Sequence, residues 1–238
     1  VDVSLELLAS APISLRHWQR VRLHVGTSDL LARVSLLSKV EIHPGDETFA
    51  QLLLEDDVAV KAGQRFIVRS YSPLRTIGGG VILFPYGKRP KGKAGRFKTL
   101  QFLEQLKADT SMEGRVLAIV ESLKSVHFEE LVVLTQEGRR EITSVGKELQ
   151  RKGKLYFFEE EGGFFLSASA LGQLEDELKR ILEDFHRKNP HLRGVSLEET
   201  AEKLSFKLGA NLLRAIVKEM QSRGEIVIGP DDKLRLAK

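Results

Sequence analysis

The sequence predicts a multidomain β plus α/β chain, an antiparallel β-barrel followed by two tandem winged-helix domains of α+β type. Three observations carry this. From Ala11 to Leu83, short apolar or alternating runs are separated by turn residues, with no helix of convincing length between them. From Met112 onward the apolar spacing becomes helical. The order helix, short helix, helix, hairpin then occurs twice, offset by about sixty residues. The boundaries that follow are a barrel over 1–86, a basic linker over 87–110, a first winged helix over 111–168 and a second over 169–238.

Val1-Asp2-Val3 is already strand-like and no initiator methionine precedes it, so the sequence is expected to start at a cut inside a larger protein. Arg20 to Val25 alternates Val21, Leu23 and Val25 against Arg20, Arg22 and His24, which gives a strand with one buried and one wet face. Gly26 to Asp29 and Pro44-Gly45-Asp46 are turns, and Leu31 to Leu37 and Gln51 to Leu54 are strands. The stretch Gly63 to Leu83 is the most informative. Arg65 to Arg69 favours a strand, Ser72-Pro73 breaks it, and Thr76-Ile77 and Val81 to Leu83 resume across Gly78-Gly79-Gly80. Missing side chains there permit a bulge, or the close approach of another backbone or of a ligand. Arg69, Arg75 and Thr76 flank the triplet, and cations, a hydroxyl and uncovered backbone suit a sugar-phosphate chain.

The net charge of +4 is modest, but Lys88, Arg89, Lys91, Lys93, Arg96 and Lys98 crowd one stretch in which Pro90, Gly92 and Gly95 are expected to prevent regular structure. Two readings stand for it, a solvated linker and an RNA backbone contact. Beyond it, helices are expected over Met112 to Lys124, Phe128 to Leu134 and Arg140 to Lys152, with a hairpin from Leu155-Tyr156-Phe157-Phe158 to Phe164-Phe165-Leu166. The second set is Leu171 to Arg187, a short helix opened by the capping box Ser196-Leu197-Glu198-Glu199, Asn211 to Arg223, and a hairpin of Glu225 to Ile228 with Lys233 to Leu236.

Without cysteine there is no disulfide framework or thiolate metal site, and no apolar run approaches the roughly 20 residues of a membrane helix. A cytoplasmic protein with no membrane partner is expected. Gly87 to Ala94 nearly matches a phosphate-binding loop, but Ala94 stands where the magnesium-ligating hydroxyl belongs. Gly78-Gly79-Gly80 lacks the spacing of a dinucleotide fingerprint. His17, His24, His43, His127, His186 and His191 lie in different elements without metal-ligand spacing, so neither a metal site nor a catalytic constellation is expected.

Trp18 reads as a core or interdomain packing residue rather than a base-stacking one. The third helices offer Arg139, Arg140, Lys147, Arg151 and Lys152 in one module and Lys207, Arg214, Lys218 and Arg223 in the other. The wing tips, Glu159-Glu160-Glu161 and Asp231-Asp232, would repel phosphates, which favours a spacer or protein-docking role for both modules.

Leu15 to Arg20, His24 to Thr27, Ala32 to Leu37 and Gly63 to Leu83, followed by tandem winged helices, resemble the third domain and C-terminal extension of SelB, the bacterial selenocysteine-specific elongation factor family. The resemblance covers nearly the whole chain and implies an elongation factor Tu-like domain III barrel. The family is a translational GTPase that delivers selenocysteinyl-tRNA to the ribosome at recoded UGA codons. By that resemblance Arg69, Arg75 and Thr76, with the open backbone at Gly78 and Gly79, match the place where the barrel meets tRNA. His24, Gly26 and Thr27 form a second patch, and Lys88, Arg89 and Lys91 join the RNA-binding candidates. For Arg69, a buried ion pair bracing the barrel is the alternative.

The GTP-binding domain and the barrel that follows it in the family are missing, so the chain is expected to be no enzyme and to carry no cofactor; GTP and magnesium belong to the missing domain. The family usually has four winged helices, the last reading an mRNA hairpin. With two here, that hairpin would be bound by modules not present. The rival readings are a DNA-binding winged-helix regulator with a β-barrel domain and a ribosome- or protein-docking module.

Overall fold

The computed structural model describes residues 1–159, 162–192, 194–205, 209–229 and 231–237. Two compact units divide the chain. One is Val1–Ser122 with Val132–Gly138, the other Leu123–Leu131 with Arg139 onward.

The first unit holds strands β1 (Asp2–Leu7), β2 (Leu15–Arg16), β3 (Arg20–Val25), β4 (Ser28–Leu36), β5 (Glu41–Ile42), β6 (Glu47–Leu54), β7 (Arg65–Ser70) and β8 (Thr76–Phe84). Six of them close an antiparallel barrel in the order β1-β6-β4-β3-β7-β8, and β2 and β5 form a separate ribbon. Period-two alternation sends Val21, Leu23, Val25, Val34, Leu52, Phe66 and Val68 into one core with Val3, Leu5 and Leu7.

Closure depends on β8, which pairs with β7 on one side and β1 on the other. The glycine triplet makes this possible. A Cβ on Gly78 would collide with the Glu6 carbonyl and one on Gly80 with the Ser4 carbonyl, while one on Gly79 would sit 2.6 Å from the Phe66 carbonyl. The close approach that the triplet permits is therefore made by neighbouring barrel strands. The reading of Gly78 and Gly79 as backbone open to RNA is corrected accordingly: Gly78 is buried and Gly79 half-buried between β1 and β7. The bulge is real, since Val68 pairs with Gly78 and Arg69 with Thr76, leaving Ile77 as the extra residue.

Helices α1 (Gly92–Ala108) and α2 (Met112–Leu123) follow. The basic stretch is thus mostly helical, against the expectation from Gly92 and Gly95. Gly92 takes a positive φ of 65° at the start, Gly95 packs against Pro90, and Phe102, Leu103 and Leu106 supply the burial that offsets their poor propensity. Phe102 meets Phe84 edge-on at 5.1 Å, and Lys107 bridges to Glu47 at 2.5 Å. Nearly all of α2 falls in the barrel unit rather than with the helices after it. In the same unit Gln136 donates to the Val60 carbonyl (2.9 Å) and accepts from the Ala62 N–H (3.1 Å), and Arg115 pairs with Glu137 at 3.2 Å.

The second unit has β9 (Ser125–His127), the first half of α3 (Phe128–Thr135), all of α4 (Arg139–Arg151), then β10 (Leu155–Phe158), β11 (Phe164–Ser167), α5 (Ala168–Lys188), β12 (Val195–Ser196), α6 (Leu197–Lys203), α7 (Ala210–Ser222), β13 (Ile226–Ile228) and β14 (Lys233–Leu236). The two hairpins are as expected, and each gains a third strand, giving sheets ordered β10-β11-β9 and β12-β14-β13. Phe157 stacks on Phe165 at 4.4 Å, directly over Gly146 of α4. A second core joins Leu166 to Leu174, Leu178 and Leu182 of α5 and to Leu213, Ile216 and Met220 of α7. Ser196 caps α6 by accepting from the Glu199 N–H at 3.1 Å. Among the described residues no helix is long and apolar enough to cross a membrane.

Gly80→Ala is expected to lower stability by roughly 3 kcal/mol, because the obstacle is backbone. Gly172→Ala, in α5 with nothing within 4 Å of the new Cβ, should raise it by roughly 0.5–1 kcal/mol. Urea titration of both variants checks this.

Candidate nucleic-acid interface

The outside of the barrel is not uniform. On β1 and β6 it is covered: Ser4 donates to Glu47 (2.7 Å), which also holds Lys107 of α1, and Asp2 is buried against Gln51. The Lys107 ammonium keeps the Glu47 carboxyl below the usual carboxylate range. On β4, β3, β7 and β8 polar side chains project outward.

Register fixes their neighbours. Leu31, Arg22, Arg69 and Thr76 form one row across the four strands, Asp29, His24, Ile67 and Gly79 a second, and Arg33 and Arg20 a third. Arg65 and Thr27 lie at one end, and Tyr71 and Arg75 at the other. From residue 65 to 71 the strip runs roughly 20 Å at the usual strand rise. The two patches read separately from the sequence, Arg69-Arg75-Thr76 and His24-Thr27, are therefore one surface. Arg22, Arg65, Ile67 and Tyr71 belong to it and were not singled out. Alternation showed that Arg22 points outward, but which strand lies beside it is a matter of long-range register.

Charge compensation on this strip is partial. Arg20 is bidentate to Glu55, with Nε to Oε1 at 2.8 Å, and its guanidinium lies 5.2 Å from the Tyr71 ring centre. Arg20 in turn holds the Glu55 carboxyl below its ordinary range. Arg22 Nη1 reaches both Asp29 oxygens at 3.1 Å. Arg65, Arg69 and Arg75 have no ion-pair partner among the described residues, so the bracing alternative for Arg69 finds no carboxylate there. Arg22 Nε, His24 Nε2 and Arg69 Nε are all buried without a hydrogen-bond partner, side by side on one face. His24 Nε2 lies 3.8 Å from Asp29 Oδ1, beyond hydrogen-bond reach, and the two arginine Nε–H groups are unpaired buried donors, which are costly to leave unmet.

Arg75 and Thr76 are exposed, and Arg75 is placed by buried Ser70, whose N–H donates to the Arg75 carbonyl (2.8 Å) and whose Oγ accepts the Arg75 N–H (3.1 Å). Lys88, Arg89 and Lys91 are exposed and lie on the link into α1. Gln51 Nε2 donates both to Asp2 Oδ1 (2.7 Å) and to the Lys88 carbonyl (3.0 Å), pinning that link to the barrel. Arg89 lies 5.0 Å over the Trp18 ring, and Arg33 Nη1 donates to the Trp18 carbonyl at 3.4 Å. Trp18 is half-buried at a φ of 69°, which corrects the expectation only in that it is not a core residue; its ring packs against Arg89.

In the winged-helix unit, several of the cations on α4 and at the end of α7 are ion-paired. Lys147 of α4 pairs with Glu159 of the wing at 2.6 Å, Arg139 with Glu129 at 2.7 Å, and Arg223 with Glu175 and Glu225. Arg151 and Lys152 hold Glu148 down at about 2. Arg140, Arg214 and Lys218 are exposed. Glu160, Glu161 and Lys207 lie outside the described residues. Among the described residues no group of three His, Asp or Glu could hold a metal ion.

Residues 2–89 match the family description of the β-barrel domain of the selenocysteine-specific elongation factor, and residues 179–229 match that of the winged helix of elongation factor SelB. The chain belongs to the selenocysteine-specific elongation factor family. A curated member from Desulfomicrobium baculatum is 25% identical over 236 residues, covering 97% of this chain and 36% of its own length. The crystal structure of a bacterial selenocysteine-specific elongation factor, EF-Sec, shares the fold over the whole chain and 34% of its own, with a TM-score of 0.58 at 15% identity. The chain thus spans about a third of the selenocysteine-specific elongation factors it matches, and corresponds to their barrel and winged-helix portion.

Burial pushes the Asp2 carboxyl up to about 6, against the opposing hydrogen bond from Gln51. Its folded-state value lies above the unfolded 3.8, so its contribution to stability is full below about pH 4 and is lost as pH rises through 6. Asp2→Asn removes that dependence, and the new amide has the unpartnered Gln51 Oε1 to donate to. The variant is expected to be more stable than the parent by about 1–2 kcal/mol at pH 7.5 and no more stable at pH 4. Denaturant midpoints across that range test it.

Proposed function

We propose that this chain supplies the tRNA-facing barrel, and a winged-helix spacer, of a factor that delivers selenocysteinyl-tRNA to the ribosome at recoded UGA codons. The observation that carries the reading is the cluster of Arg22 Nε, His24 Nε2 and Arg69 Nε, buried on neighbouring positions of one barrel face and without a hydrogen-bond partner, with Asp29 Oδ1 at 3.8 Å from the His24 nitrogen as an ion-pair contact only. Phosphate oxygens are the acceptors such a cluster suits, and charge-assisted bonds to them are roughly twice as strong as neutral ones. Arg75 and Thr76 extend the contact at one end, and Arg65 and Thr27 at the other.

GTP and magnesium chemistry is assigned to the part of the family outside this chain, and the mRNA hairpin to winged helices beyond these two. The paired Lys147 and Glu159 support a spacer rather than a groove-reading role for the first module, since the wing carboxylate already occupies the helix cation. Translation places the factor in the cytoplasm.

Arg22→Ala, Arg69→Ala and Arg75→Ala are each expected to weaken tRNA binding about tenfold and to lower the salt slope by about one phosphate. Fluorescence titration of labelled tRNA at several salt concentrations measures both. Unchanged affinity in all three variants would overturn the assignment.

A further inference from the structure

A second concentration of charge lies apart from the barrel face. Residues 88–98 carry Lys88, Arg89, Lys91, Lys93, Arg96 and Lys98 and no carboxylate, and none of the six is ion-paired among the described residues. Helix α1 docks on the barrel only through its second half, where Phe102, Leu103 and Leu106 are buried. From Lys91 to Lys98 every residue is exposed except half-buried Gly95. A solvated structural helix would favour the reverse pattern. Its first turn would carry acids and a capping side chain, whereas this one has neither and begins with two glycines among cations.

The strip is held in place rather than left loose. Gln51 fixes the Lys88 carbonyl at 3.0 Å, Trp18 supports Arg89 at 5.0 Å, and Pro90 lies against Gly95, where a Cβ would meet it at 3.4 Å. The link thereby lies against the first turn of the helix at Pro90 and Gly95. Lys93, Arg96 and Phe97 share one helix face by their spacing of three and four. Phe97 is 61% exposed, an aromatic ring offered to solvent amid positive charge.

We propose that this strip is an RNA-binding site separate from the barrel face, in which the cations contact consecutive phosphates and Phe97 stacks on an unpaired base. Cations along a track with an aromatic platform are the combination that single-stranded nucleic acid requires. A membrane surface would require an apolar helix face, whereas Phe97 is the one large apolar residue α1 exposes, with Phe102, Leu103 and Leu106 buried on the barrel. The inference does not rest on the barrel reading, because it uses none of Arg22, His24, Arg69, Arg75 or Thr76.

The test uses the full chain with a fluorescent, unstructured 20-nucleotide RNA, with polyglutamate and phosphatidylserine vesicles as parallel probes. Lys93→Gln/Arg96→Gln/Lys98→Gln is expected to cut RNA affinity at least tenfold at 0.1 M salt and to reduce the slope of log K against log salt by about 2. Phe97→Ala should cut affinity about fivefold and leave the slope unchanged. Lys93→Arg/Arg96→Lys/Lys98→Arg, which keeps the charge, should retain binding, and circular dichroism should show the helix intact in each variant. RNA affinity equal to the parent in the triple Gln variant overturns the proposal, as does binding of polyglutamate or vesicles in place of RNA. An Arg69→Ala/Arg75→Ala variant separates the two sites: lost tRNA binding with the 20-mer unaffected supports a distinct strip, and loss of both assigns the 20-mer to the barrel and overturns it.

Discussion

Everything on the barrel's outer surface depends on the contact between β8 and its two neighbours. Three consecutive residues must have no side chain, because the carbonyls of Ser4, Glu6 and Phe66 occupy the space where a Cβ would be. With β8 seated, β7 is held between β8 and β3, and Arg69 is placed beside Arg22 on one side and Thr76 on the other. The glycines serve the interface by closing the sheet that displays it.

Charge is distributed with the same economy. Where cations support structure they are matched, as in Arg20 with Glu55, Lys107 with Glu47 and Lys147 with Glu159. Among the described residues of the barrel unit, unmatched cations gather at Arg65, Arg69 and Arg75 and along residues 88–98, while Arg140, Arg214 and Lys218 are unmatched singly on helices of the other unit. Exposed ion pairs contribute little to stability, so this division bears little on what holds the fold.

Much of the architecture is legible in the residues. The alternation of Val21, Leu23 and Val25, the break at Ser72-Pro73 and the cap at Ser196 each locate an element within a residue or two. What the sequence hides is whatever depends on distant partners. The third wing strands, Ser125–His127 and Val195–Ser196, are too short to have a period of their own and exist only as partners of β11 and β14. Helix α1 is hidden because Gly92 and Gly95 argue locally against it, and burial of Phe102, Leu103 and Leu106 outweighs them. The interface is half legible: Arg69, Arg75, Thr76 and His24 stand out by type, whereas Arg22 and Ile67 join them only through register.

The tip between β7 and β8 has a further consequence. Tyr71, Ser72, Pro73 and Leu74 are all exposed, and the loop is closed from beneath by Ser70, which pairs with the Arg75 backbone and whose Oγ donates to the Pro73 carbonyl. A loop tied at its base leaves its apex free of the ladder. Chain length or composition there can change from one relative to another while Thr76 keeps its place beside Arg69. Reach and alignment are then separate variables, and a factor built this way can adjust how far it extends toward a ligand without re-registering the sheet that holds it.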